Sequence, residues 1–150
     1  MREIAEAEAR GLLARRTVCE YDGGWDVVKA QPDTKVLTAG LLDEDGIGTR
    51  LQLKLLFRRS VKTKILKYVF SVFKCTPYGA EPLYQLEITQ SPKPLKDQHE
   101  RSHEHFGDGR ELGRAEWDKW DYDQVLAYFC TQANIRFLTP PPHPEHFELR

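Results

Sequence analysis

Thr49-Arg50-Leu51-Gln52-Leu53-Lys54-Leu55-Leu56-Phe57-Arg58 is the stretch that decides the fold. Leu51, Leu53, Leu55 and Phe57 alternate with Gln52, Lys54 and Arg58, a period of two that sends one row into a core and the other toward water. Only Leu56 breaks the pattern. Downstream, Ile65 to Cys75 carries Tyr68, Phe70 and Val72 on one face and Val69 and Phe73 on the other, which predicts a central strand partly covered on both sides. After Pro77-Tyr78-Gly79, the run Leu83 to Thr89 sets Tyr84, Leu86 and Ile88 against Gln85, Glu87 and Thr89. Three successive antiparallel strands make a meander. Upstream, turn signals at Asp22-Gly23-Gly24, Gln31-Pro32-Asp33 and Asp43-Glu44-Asp45-Gly46 bound shorter segments rich in Val, Leu and Thr that read as strands.

Helical periodicity flanks this block. From Arg2 to Arg16, Ala5, Ala9, Leu12 and Leu13 share a face, with glutamates early and arginines late to suit the helix dipole. Near the other end, Asp121 and Gln124 form a capping pair ahead of Val125, Leu126, Phe129 and Ala133. Trp117, Trp120 and Tyr122 stand among acids that would repel a phosphate backbone, so they read as core and anchors for this helix. Pro140-Pro141-Pro142 stops any helix and makes residues 139–150 a Pro-rich tail, with His143 and His146 exposed on it. Phe147-Glu148-Leu149 would be a last edge strand or surface segment. The expectation is one α+β domain over residues 1–150: a mainly antiparallel, curved sheet of five or more strands, with N-terminal and C-terminal helices packed on it.

A chain of 150 residues, 40% hydrophobic, has material for one core, and a net charge of −1 with 30% charged residues singles out no partner class. Cys19, Cys75 and Cys130 lie too far apart for a thiolate zinc or redox motif and read as cytoplasmic thiols. Glu3, Glu6 and Glu8 sit where a secretory leader needs basic and then apolar residues, and no apolar run is long enough to span a bilayer. The expected location is the cytoplasm, with no membrane partner.

Chemistry concentrates in Asp97-Gln98-His99-Glu100-Arg101-Ser102-His103-Glu104-His105-Phe106-Gly107-Asp108-Gly109-Arg110. His103 and His105, two apart, leave the same face of an extended backbone, and a bend near Ser102 would bring His99 to them. Imidazoles titrate near neutrality, so a pair can take one proton and give another. In RNA cleavage one would activate the 2′-hydroxyl and the other protonate the leaving oxygen, while Arg101 or Arg110 stabilises the phosphorane. Such chemistry needs no cofactor and no metal. Two other readings stay open: a metal site in which His99, Asp97 or Asp108 joins His103 and His105, and a solvated connector entered through Pro92 and Pro94 and closed by a Gly107-Asp108-Gly109 turn. Arg58, Arg59, Lys62, Lys64 and Lys67 cluster on a hairpin that would hold phosphates, or would be a solvated turn guarding the sheet from edge pairing. Asp43-Glu44-Asp45-Gly46 is no calcium loop, since Ile47 replaces an oxygen ligand, and Gly46-Ile47-Gly48 lacks the third glycine of a dinucleotide fingerprint.

The order strand Leu83 to Ile88, upstream histidine His99, His103-Glu104-His105, then a helix from Tyr122 resembles small bacterial toxin-like proteins of the TumE type, over roughly residues 50–135. Uncharacterised phage and mobile-element proteins look similar. The resemblance implies a compact sheet with an H-x-H element and a following helix, the paired-histidine role for His103 and His105, the upstream role for His99, and a cognate antitoxin as partner. The N-terminal helix, the early strands and the Pro-rich tail are additions to that pattern. The functional expectation is a toxin-like protein acting on RNA, with a non-enzymatic protein-binding module of the inhibitor, immunity or antitoxin kind as the competing class.

Overall fold

A computed structural model describes residues 3–93 and 101–146. Among them lie two helices and one nine-stranded, open, curved sheet, so the α+β expectation holds. The elements are α1 (Glu6–Leu13), β1 (Thr17–Cys19), β2 (Asp26–Val28), β3 (Gln31–Leu42), β4 (Gly48–Arg59), β5 (Leu66–Thr76), β6 (Gly79–Gln90), β7 (His103–Phe106), β8 (Gly109–Leu112), α2 (Tyr122–Ala133) and β9 (Ile135–Phe137), with a 3-10 turn at Ala115–Lys119 before α2. The strands run in the order β8-β7-β6-β5-β4-β3-β1-β9, with β2 also on β3. Every pairing is antiparallel except β1 with β9.

The alternation of β4 does what its period requires. Leu51, Leu53, Leu55 and Phe57 are buried while Gln52, Lys54 and Arg58 are exposed. They share the inner face with Tyr68, Phe70 and Val72 of β5 and with Tyr84, Leu86 and Ile88 of β6. Against this face lies α2, whose Phe129 ring meets Phe70 and Tyr84 edge-on or tilted, at centroid distances of 5.6 and 5.8 Å. The helix begins with the expected capping box: Asp121 accepts from the Gln124 backbone N–H, and the Gln124 side chain accepts from the Asp121 N–H. Asn134 ends it in the left-handed conformation and donates to the Leu13 and Ala14 carbonyls, which ties the C-termini of both helices together.

Several boundaries differ from the sequence reading. Gln31-Pro32-Asp33 is the start of β3 and not a turn, a position where a strand tolerates the missing proline N–H. Strand β6 starts at Gly79 rather than Leu83: Pro82 is the partner of Phe73, and the register shift between Val72 and Phe73 leaves Leu83 as the extra residue of a bulge. Helix α1 is shorter than Arg2 to Arg16, ending before Ala14 so that Thr17 can pair in β1. No side chain of its own caps α1. Asp108 of the β7–β8 turn does so instead, accepting from Glu6 N at 2.9 Å, while Asp108 N donates to the Ile4 carbonyl. Gly107 makes that approach possible: its φ is +53°, and a Cβ there would collide with the Ile4 carbonyl oxygen.

The Pro-rich segment is a strap across the inner face. Tyr122 OH donates to Pro141 O at 2.9 Å and Trp25 Nε1 to Pro142 O at 2.8 Å, while Arg59 grips Glu145 through two 2.8 Å bonds. His143 is therefore not an exposed tail residue: it is half-buried, packed edge-on against Phe57 and Tyr122. His146 is exposed, as expected. Phe147, Glu148 and Leu149 lie outside the described residues. No described helix is long and apolar enough to cross a membrane.

Candidate functional site

From His103 onward the histidine segment is a strand hairpin, closed by the expected turn at Gly107-Asp108. His103 and His105 both point to the outer face of β7, while Glu104 between them faces inward and accepts hydrogen bonds from Tyr128 OH and Gln132 Nε2. Direct cross-strand partners then align two rows over the outer face. One reads Val36, Leu56, Val69, Glu87, His103, Leu112; the other reads Thr38, Lys54, Ser71, Gln85, His105, Arg110. His103 and His105 sit edge to face with centroids 4.8 Å apart.

The two imidazoles are shifted in opposite directions. His103 is buried, with Nδ1 2.8 Å from the Arg101 carbonyl and Nε2 3.0 Å from Glu87 Oε2. Both partners only accept, so the doubly protonated ring is the form that satisfies both nitrogens. The Glu87 carboxylate accordingly holds the His103 imidazole above its usual range. Burial opposes ionisation of Glu87, but the bonds from His103 and Lys67, whose Nζ is 2.8 Å from Oε1, bring its carboxyl from the ordinary 4.5 down to about 2. His105 is half-buried and, among the described residues, its ring makes no hydrogen bond. Burial and then the neighbouring His103 and Arg110 charges push it below the usual histidine range, which favours the neutral ring.

This splits the expected pair. His105 has a free nitrogen beside the exposed Arg110, whereas both protons of His103 are engaged. His103, whose protonated form the Glu87 carboxylate favours, lies next to a His105 ring with no hydrogen bond among the described residues. His99 and Asp97 lie outside the described residues. Among those described, no three His, Cys, Asp or Glu side chains converge as a metal site would require. Burial pushes the Cys19 and Cys130 thiols up to about 12, which keeps both protonated.

The basic hairpin is divided as well. Arg58 pairs with Asp33 at 3.4 Å, Arg59 with Glu145, and Lys67 with Glu87, leaving Lys62 and Lys64 exposed on the turn. Arg58 and Lys67 nonetheless share the outer face with the histidines, since they are cross-strand partners of each other. Glu87, Lys54, Ser71 and Gln85 were not singled out from sequence. Alternation placed Lys54, Gln85 and Glu87 on polar rows and Ser71 on the face of Val69 and Phe73, but only the register sets these residues beside His103 and His105. No family model, no curated protein and no solved structure matches this chain, so the site is read from its own geometry.

Proposed function

We propose that this chain binds single-stranded RNA across the outer face of the sheet and cleaves it with His105 as the only histidine acting as base. The observation that carries the reading is the row Lys54, Ser71, Gln85, His105, Arg110, which combines two exposed cations, a hydrogen-bonding amide and an unengaged imidazole on adjacent strands. His105 takes the proton of a 2′-hydroxyl, the 2′-oxygen bonds to phosphorus, the bond from phosphorus to the 5′-oxygen breaks, and the leaving oxygen takes a proton from water. Arg110 stabilises the charge on the phosphorane oxygens, while burial and then the neighbouring His103 and Arg110 hold His105 toward its neutral form. A toxin-like role, with a cognate antitoxin shielding this face, fits the same chemistry.

The test is a cleavage assay on unstructured RNA together with growth on induced expression. His105→Ala should abolish cleavage and any growth arrest while leaving the fold intact. Cleavage that persists in folded His105→Ala overturns the mechanism. A binding module without catalysis is favoured by one feature, the engagement of both His103 protons, and it is the reading left if RNA binds and is not cut.

A further inference from the structure

Beyond the histidines, a concavity lies where the end of β6 meets the Arg101-Ser102 segment and the chain leading into the 3-10 turn. It has a volume of about 500 Å³, within the range that holds a small organic ligand. Among the described residues, Lys93, Arg101 and Arg114 contribute three cations to its wall and Asp118 one carboxylate, a net positive lining. Arg114 is only loosely engaged, 3.7 Å from an exposed Glu116. Hydroxyls come from Thr89, Ser91 and Ser102, and Pro92, Leu112 and Ala115 add apolar surface. Thr89, which lines the concavity, is 6% exposed and its Oγ1 has no hydrogen-bond partner among the described residues. Leu112, 61% exposed, is an apolar surface without cover at the rim.

We propose that this concavity is a binding site for a phosphate monoester of nucleotide size, with Arg101, Arg114 and Lys93 on the phosphate and Leu112, Pro92 and Ala115 against the nucleoside. The guanidinium groups offer paired N–H donors that match phosphate oxygens, and the apolar wall accepts a base or sugar face. The site is separate from the His105 row and requires no cleavage. Its occupant is either a free mononucleotide or the 5′-phosphorylated end of a strand, because both present the same group.

The experiment is NMR titration of the full chain with inorganic phosphate, uridine 5′-monophosphate, and a short RNA with and without a 5′-phosphate. Saturable shifts at Thr89, Ser91, Ser102 and Gly113 are expected with the mononucleotide. Arg101→Gln with Arg114→Gln should weaken that binding about tenfold or more, the scale of losing charge-assisted hydrogen bonds. Thr89→Val, close to isosteric, should weaken it less and leave the apo protein at least as stable, and Lys29→Gln, on a distant turn, should change nothing. Tighter binding of the 5′-phosphorylated strand assigns the site to strand ends; equal binding of strand and mononucleotide assigns it to free nucleotide. No saturable shift, or affinity unchanged in folded Arg101→Gln/Arg114→Gln, overturns the proposal. RNA binding on the outer face with no shift at this site would overturn it while leaving the RNA reading intact.

Discussion

Glu87→Gln isolates the charge that holds His103. The substitution keeps the shape of the side chain and removes the anion that accepts from His103 Nε2 at 3.0 Å and Lys67 Nζ at 2.8 Å. A carboxyl held at about 2 instead of 4.5 corresponds to about 3 kcal/mol of differential interaction, an upper bound on what the variant loses. The Lys67 side chain is 39% exposed, so water and salt reduce its share to about 0.5 kcal/mol. The buried imidazolium bond carries most of the remainder, and a loss of about 2 kcal/mol is expected near pH 6. The pH dependence follows from the two shifts. Glu87 is lowered, so its contribution is present above 4.5 and disappears as pH falls through about 2. His103 is raised, so its contribution is complete below 6.5 and fades as pH climbs through the folded value. The gap between wild type and variant should therefore be widest from about pH 4.5 to 6.5 and narrow on either side. Urea denaturation at several pH values, with the His103 ring proton followed by NMR, measures it. Equal stability at pH 6, or a His103 that titrates below the usual histidine value in wild type, refutes the argument.

Four further outcomes can be checked. Asp108→Ala removes the side chain that caps α1 and should cost about 1 kcal/mol in denaturation, with accelerated amide exchange at Glu6. Gly107→Ala introduces a Cβ against the Ile4 carbonyl at positive φ and should cost more than about 1 kcal/mol by the same measurement. Phe129→Ala empties the contact of α2 with Phe70 and Tyr84 and should cost about 3–5 kcal/mol. For activity, the acid limb of the rate–pH profile should fall below the usual histidine value of 6.5, since the base must be deprotonated and His105 is lowered; Arg110→Gln should move that limb upward.

The meander was legible because β4, β5 and β6 each keep a two-residue period over a half-buried surface. The capping box at Asp121 was legible because it is local chemistry. The start of β6 was not, since Pro82 reads as a break and only a bulge shared with β5 makes it tolerable. Strands β7 and β8 are four residues each, too short for periodicity to separate them from a polar connector, and the place of β7 is decided by its pairing with Tyr84 to Glu87 of β6. The strap was hidden for a related reason: the carbonyls of Pro141 and Pro142 are ordinary backbone until Tyr122 and Trp25 reach them. At the site, sequence placed His103 and His105 on one face. Their opposite roles came from Glu87 and the Arg101 carbonyl, which reach His103 alone.

The most direct test of the RNA reading is chemical-shift mapping of the folded chain with an unstructured RNA oligonucleotide at low and moderate salt. Saturable, salt-sensitive shifts centred on Lys54, Ser71, Gln85, His105 and Arg110 are predicted. No saturable shift, or shifts confined to the hairpin tips at Ile47 and Tyr78, would contradict an RNA-binding outer face.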